Sequence, residues 1–94
     1  MIYKLEISKK AKKFIKTLPK HEALKITQVI MHLAEEPRPR WVEKLKGIKN
    51  GEYYRTSWGN YRILYSIEDH ILQVTIVEVD GRDDVYKKLN MRLK

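Results

Sequence analysis

Three arginines and a tyrosine carry most of the chemistry this sequence offers: Arg55, Arg62, Arg82 and, four residues beyond the last, Tyr86. A guanidinium is permanently cationic, and its planar fork matches the paired oxygens of a phosphate. A phenol stacks on a base or exchanges a proton, and neighbouring cations lower its pKa. Gly59-Asn60 suits a two-residue type II′ hairpin turn, because glycine accepts the positive φ of the first central position. Antiparallel counting from that turn pairs Trp58 with Tyr61 and Ser57 with Arg62. Side chains alternate along a strand, so Tyr53, Arg55 and Ser57 share one face, and Arg62 projects from it too. Two guanidinium groups so placed, on a sheet otherwise built from Tyr, Ile, Leu and Val, are costly unless they meet an anion, phosphate above all. Arg82 follows directly where the last expected strand ends at Val79.

If that anion is RNA, cleavage without a metal needs three things. The 2′-hydroxyl must lose its proton, the charged phosphorane-like transition state must be stabilised, and the leaving oxygen must be protonated. The arginines answer the second need, and the tyrosine is left with either stacking on a base or exchanging a proton.

The elements that must position these groups follow from periodicity. Residues 2–8 alternate as a first strand, with Ile2, Leu5 and Ile7 expected inward. Ser8 can cap the next element. Ala11, Phe14, Ile15 and Leu18 then form one stripe of an amphipathic helix, and Pro19 stops it. A second helix is expected over about residues 21–35, with Ala23, Ile26, Val29, Ile30 and Leu33 inward. The short connection between the two implies an antiparallel helical hairpin. Pro37 and Pro39 force extended backbone. After Trp41 to Leu45 and a turn around Gly47 to Gly51, three strands are expected at about 52–58, 61–68 and 71–79, the last two joined by a turn at Asp69-His70. A short helix from Asp83 or Asp84 to Leu93 closes the chain, with Val85, Leu89 and Leu93 on one side. The expected fold class is α+β: an N-terminal strand, a helical hairpin, a three-stranded antiparallel meander and a short C-terminal helix, with the helices on one face of the sheet.

Composition sets the outer bounds. At 94 residues, the chain reads as a single domain spanning 1–94. There is no cysteine, so neither disulfides nor thiolate chemistry enter. His21, His32 and His70 lack metal-ligand spacing with one another, and no metal or cofactor is expected. No apolar run approaches the roughly 20 residues of a membrane span, and a cytoplasmic protein with no membrane partner is expected. Twenty Lys and Arg against twelve Asp and Glu leave +8. Residues 1–47 hold twelve basic and five acidic side chains (+7), and residues 48–94 hold eight and seven (+1). Such a field favours a polyanion, RNA or DNA or an acidic protein, although a solvated lysine-rich surface is the plain alternative.

The run from Tyr54 to Tyr65, Tyr-Arg-Thr-Ser-Trp-Gly-Asn-Tyr-Arg-Ile-Leu-Tyr, resembles the central signature of the RelE/ParE toxin superfamily. Val79-Asp80-Gly81-Arg82-Asp83-Asp84-Val85-Tyr86 is similar to that family's closing motif, and Lys44-Leu45-Lys46-Gly47 also matches its layout. The resemblance implies a RelE-like, microbial-ribonuclease-like toxin of a type II toxin–antitoxin pair. It would be held in check by a small cognate antitoxin and would cut mRNA on the ribosome through 2′-hydroxyl attack. By position, Arg62 would stabilise the transition state, Arg82 would bind the phosphate and Tyr86 would stack or assist proton transfer. Arg55 and Ser57 would lie along the RNA. Lys9, Lys10, Lys12, Lys13 and Lys16 would grip ribosomal RNA, or simply form a solvated helix face.

Ser57 stands where the family often has a second basic residue, Gly81 where many members have histidine, and Asp83 where they have arginine. No obvious general base is left, since arginine is a poor proton acceptor and His70 belongs to a distant turn. Either the ribosome supplies part of the proton chemistry, or cleavage is weak. A ParE-like toxin that poisons DNA gyrase, and a catalytically weakened antitoxin-binding homologue, are the alternative functions.

Overall fold

The computed structural model describes residues 2–46 and 51–81. In chain order the elements are β1 (Lys4–Ile7), α1 (Lys9–Lys16), α2 (Lys20–Glu35), β2 (Glu43–Lys44), β3 (Glu52–Trp58), β4 (Tyr61–Glu68) and β5 (Gln73–Gly81). The strands form one sheet in the order β1-β5-β4-β3-β2. β1 runs parallel to β5 and all other pairs are antiparallel. The expected α+β class is the one observed. The expected turn over 47–50, the terminal helix, Arg82 and Tyr86 lie outside the described residues.

Local chemistry explains why the helices start where they do. The Ser8 hydroxyl accepts from the Ala11 N–H at 3.1 Å, capping α1, and donates to the Val77 carbonyl at 2.6 Å. One side chain thus begins the helix and fastens it to β5. Pro19 occupies the N-cap of α2, where its missing N–H costs nothing. Ile26, Ile30 and Leu33 recur along one stripe of α2, each fully buried. They join Ala11 from α1 and Ile63, Tyr65, Val74, Ile76 and Val79 from the sheet in one core. Each large aliphatic side chain buried there contributes about 1.5–3 kcal/mol by transfer from water.

Three local differences from the sequence reading have physical causes. Ile2 was expected inward but is 71% exposed. The Tyr3 N–H donates to the Ala34 carbonyl at 2.8 Å, and Tyr3, Leu5 and Ile7 are the residues that pack on the core. The last strand begins two residues late. A single 3₁₀ turn over Asp69–Ile71 and a left-handed Leu72 (φ 49°) lengthen the expected two-residue connection. Finally, Glu43 and Lys44 pair with Arg55 and Tyr54, which adds a short edge strand the sequence did not announce.

β5 also carries a bulge. Leu64 faces Glu78 and Tyr65 faces Ile76, which leaves Val77 as the extra residue. The bulge reverses the alternation, so Ile76 and Val79 are both buried although they are three residues apart.

Candidate active site at the edge of the third strand

The hairpin β3–β4 has the register that its turn dictates. Trp58 pairs with Tyr61 and Ser57 with Arg62. Gly59 takes φ +57°, while Asn60 keeps a negative φ, as a type II′ turn requires. Directly paired residues project to the same side, so Ser57, Arg62 and Asp80 form one row across β3, β4 and β5. Arg55, Leu64 and Glu78 form the next row.

β2 covers only part of β3. The Leu45 N–H donates to the Tyr53 carbonyl at 2.8 Å, and Glu43 pairs with Arg55. Odd-numbered residues of β3 therefore turn their backbone groups toward β2. Among the described residues, β2 pairing stops at Arg55, so Ser57 turns its backbone toward the side that β2 no longer covers. A cleft of about 230 Å³ opens there. Trp41, Glu43, Arg55, Ser57, Tyr61 and Arg62 are among its walls.

Two cations and one carboxylate define its electrostatics. Arg55 Nη2 donates to Glu43 Oε2 at 2.7 Å. Arg62 stands beside the buried Asp80 across the β4–β5 ladder. Tyr61 supports the cleft from the helical side. Its hydroxyl donates to Glu22 Oε2 at 2.7 Å, and that bond, reinforced by burial, raises the phenol's pKa above its ordinary value. Tyr61 is also stacked on Trp58, with ring centroids 6.4 Å apart, and meets the edge of Phe14 at 6.0 Å.

Arg55, Ser57 and Arg62 are thus brought together as the alternation argument expected. The lysines are not part of that gathering. Lys9, Lys10, Lys12, Lys13 and Lys16 lie exposed on α1, and none lines the cleft. Lys10 Nζ is engaged with Glu78 Oε1 at 3.0 Å. Sequence reasoning missed Glu43 and Trp41. The signal for Glu43 was weak: a lone acid in a short segment, whose partner Arg55 is twelve residues away and reachable only through an unrecognised strand.

A second charged cluster sits at the opposite end of β3. Arg38 Nη2 pairs with Asp69 Oδ2 at 2.7 Å and also with Glu52, while its Nε donates to the Tyr54 hydroxyl at 3.0 Å. The Arg38 bonds hold both carboxyls below the usual carboxylate range. The Tyr65 hydroxyl donates to the Pro37 carbonyl at 2.7 Å, and burial pushes that phenol's pKa up. This network fastens the proline segment to the sheet. Among the described residues no group of His, Asp or Glu is arranged to hold a metal ion.

Comparison with known proteins places this chain in a toxin class. Residues 5–86 match the family described as the ParE toxin of the type II toxin–antitoxin system parDE. Among solved structures, the chain is similar to the archaeal RelE–RelB complex from Pyrococcus horikoshii OT3, at 30% identity with a TM-score of 0.77, covering 87% of this chain and 97% of that one. It is also similar to the toxin–antitoxin complex RelBE2 from Mycobacterium tuberculosis, at 26% identity with a TM-score of 0.74, covering 87% and 93%. The isolated E. coli RelE toxin shares the fold at 23% identity with a TM-score of 0.71, covering 98% and 99%. No match is found among curated proteins. The chain belongs to the RelE/ParE superfamily of type II toxin–antitoxin toxins.

Proposed function

We propose that this toxin is a ribosome-dependent mRNA endoribonuclease of the cytoplasm, restrained by a small cognate antitoxin. The observation that carries the reading is the convergence of Arg55, Ser57, Arg62 and Glu43 on one cleft. In the reaction, the RNA 2′-oxygen attacks the adjacent phosphorus and the bond from phosphorus to the 5′-oxygen breaks. The products are a 2′,3′-cyclic phosphate and a 5′-hydroxyl. Arg62 and Arg55 face the non-bridging oxygens, where charge builds up in the transition state. Glu43 supplies the proton acceptor that the arginines cannot be. When a phosphate engages Arg55, the Glu43 carboxylate loses its present partner and turns to the 2′-hydroxyl. By family resemblance, Arg82 orients the phosphate and Tyr86 protonates the leaving oxygen or stacks on the RNA. The lysines of α1 give a basic face for ribosomal RNA.

Mapping RNA 5′ ends in cells after brief expression tests this. Cuts confined to translated codons are expected, and intact mRNA would overturn the reading. The name of the matching family favours one rival, a ParE-like toxin acting on DNA gyrase. DNA-damage signalling with uncut mRNA is the outcome that reading requires. The antitoxin reading rests on the RelB complexes of the similar structures. It predicts salt-sensitive association with an acidic partner.

A further inference from the structure

An indole stands in the wall of the cleft with half its surface open to water. Trp41 is 51% exposed and lines the cleft beside Glu43 and Arg55. Half of this large flat ring is accessible to a planar ligand beside two guanidinium groups. Its position is fixed rather than loose. The ring stacks on His32, with centroids 6.0 Å apart and planes 24° apart. His32 Nε2 in turn lies 3.5 Å from Glu36 Oε2. The backbone just before Trp41 is tied down as well. The Pro37 carbonyl accepts from Tyr65, Arg38 is clamped by carboxylates, and the Val42 N–H donates to the Pro39 carbonyl at 3.3 Å.

A preoriented aromatic face beside paired guanidinium groups is the arrangement that binds single-stranded nucleic acid, cations on the backbone and a flat ring on a base. We propose that Trp41 is the base-stacking platform of this cleft, holding the nucleobase next to the phosphate that Arg55 and Arg62 engage. The assignment rests on the ribonuclease reading and adds a residue that positions substrate and sets base preference. His32 stacks on the indole, and the part of the ring that stays exposed is available to the base.

The test uses the full-length toxin carrying Trp58→Phe, so that Trp41 is the sole indole reporter. The probes are an RNA trinucleotide made uncleavable by 2′-deoxy substitution and the same backbone lacking its bases. The base-bearing probe is expected to quench the fluorescence and to bind about tenfold more tightly than the abasic one. In unlabelled competition, Trp41→Ala should bring both probes to the abasic affinity, and Trp41→Phe should restore most of the difference. In a translating extract, Trp41→Ala should flatten the base preference at the cut sites while Trp41→Phe preserves it. If the abasic probe binds and mRNA is cut but the bases add nothing, or if their contribution survives Trp41→Ala, the platform is overturned and the cleft stands. If neither probe binds and no mRNA is cut, the ribonuclease reading falls and takes the platform with it. RNA binding unchanged in Trp41→Ala, with loss of gyrase capture, would assign the indole to a protein interface and overturn the proposal.

Discussion

Glu43→Gln separates two roles that a carboxylate beside Arg55 could play. Glu43 Oε2 accepts from Arg55 Nη2 at 2.7 Å, and the two side chains are 64% and 40% exposed. An ion pair so open to water contributes at most about 1 kcal/mol to stability, so its loss should move the unfolding midpoint only slightly. A general base is worth about 10²–10⁴-fold in rate, equivalent to about 2.7–5.4 kcal/mol of barrier. Catalytic loss should therefore far exceed any structural loss. Glutamine keeps the shape and an oxygen that can accept from Arg55, but it cannot take a proton. If Glu43 is the base, rates should fall in the order Glu, Asp, Gln, with Ala close to Gln. If Glu43 only anchors Arg55, Gln should be nearly active and Ala the worst. The assay is single-turnover cleavage of a defined mRNA on purified translating ribosomes, with thermal melting in parallel. A Gln variant cutting within threefold of the parent, while Arg62→Ala is inactive, would show that the proton leaves by another route.

Other consequences can be checked independently. Arg62→Ala should relieve growth inhibition without loss of fold or antitoxin binding, and Arg62→Lys should rescue it poorly because one ammonium cannot reproduce a two-pronged phosphate contact. Full toxicity of the alanine variant would remove Arg62 from the chemistry. Tyr65→Phe deletes a hydroxyl from a fully buried side chain and leaves the Pro37 carbonyl without its partner. Urea unfolding should register a loss of about 1–2 kcal/mol, with cleavage unchanged. Asp69 and Glu52 have folded pKa values lowered by Arg38, so the stability they give is present above their unfolded pKa values, near 4, and disappears as pH falls through the folded ones. Arg38→Met should flatten the acid limb of the urea midpoint plotted against pH, and parallel curves for the two proteins would contradict this. Tyr61 titrates in the opposite sense. Its folded pKa is raised, so the Glu22 bond stabilises below about pH 10 and that contribution is lost as pH rises through the folded value. Alkaline unfolding of Tyr61→Phe should lack that component.

Local periodicity made much of the scaffold legible. Ser8 as a cap, the apolar stripes of both helices and the Gly59-Asn60 turn each depend on contacts within a few residues, and all three are observed. The turn was decisive, because it set the pairing of Ser57 with Arg62 and so half the cleft. Tertiary hydrogen bonds decided what periodicity could not. Ile2 and Tyr3 are both plausible inward residues until the Ala34 carbonyl takes the Tyr3 N–H. β2 is two residues long, too short for any alternation to show, yet it delivers Glu43 to Arg55.

The bulge at Val77 shows why counting along β5 would fail even with the strand correctly located. Val74 and Ile76 alternate regularly, and the same rhythm carried forward would put Glu78 on the core face and turn Val79 away from it. One extra residue between Leu64 and Tyr65's partners restores Val79 to the core and sets Asp80 opposite Arg62. The face that carries the candidate cleft is thus mixed in sign by construction, Arg55 bonded to Glu43 and Arg62 in register with Asp80. Such a face does not simply accumulate positive charge for a polyanion. Arg55 is held by Glu43 at 2.7 Å before any substrate arrives, and on the proposed reading a phosphate exchanges with that carboxylate to bind. That exchange makes orientation at the cleft a property of the strands, while the net charge of the chain, concentrated in residues 1–47, remains free to serve long-range attraction.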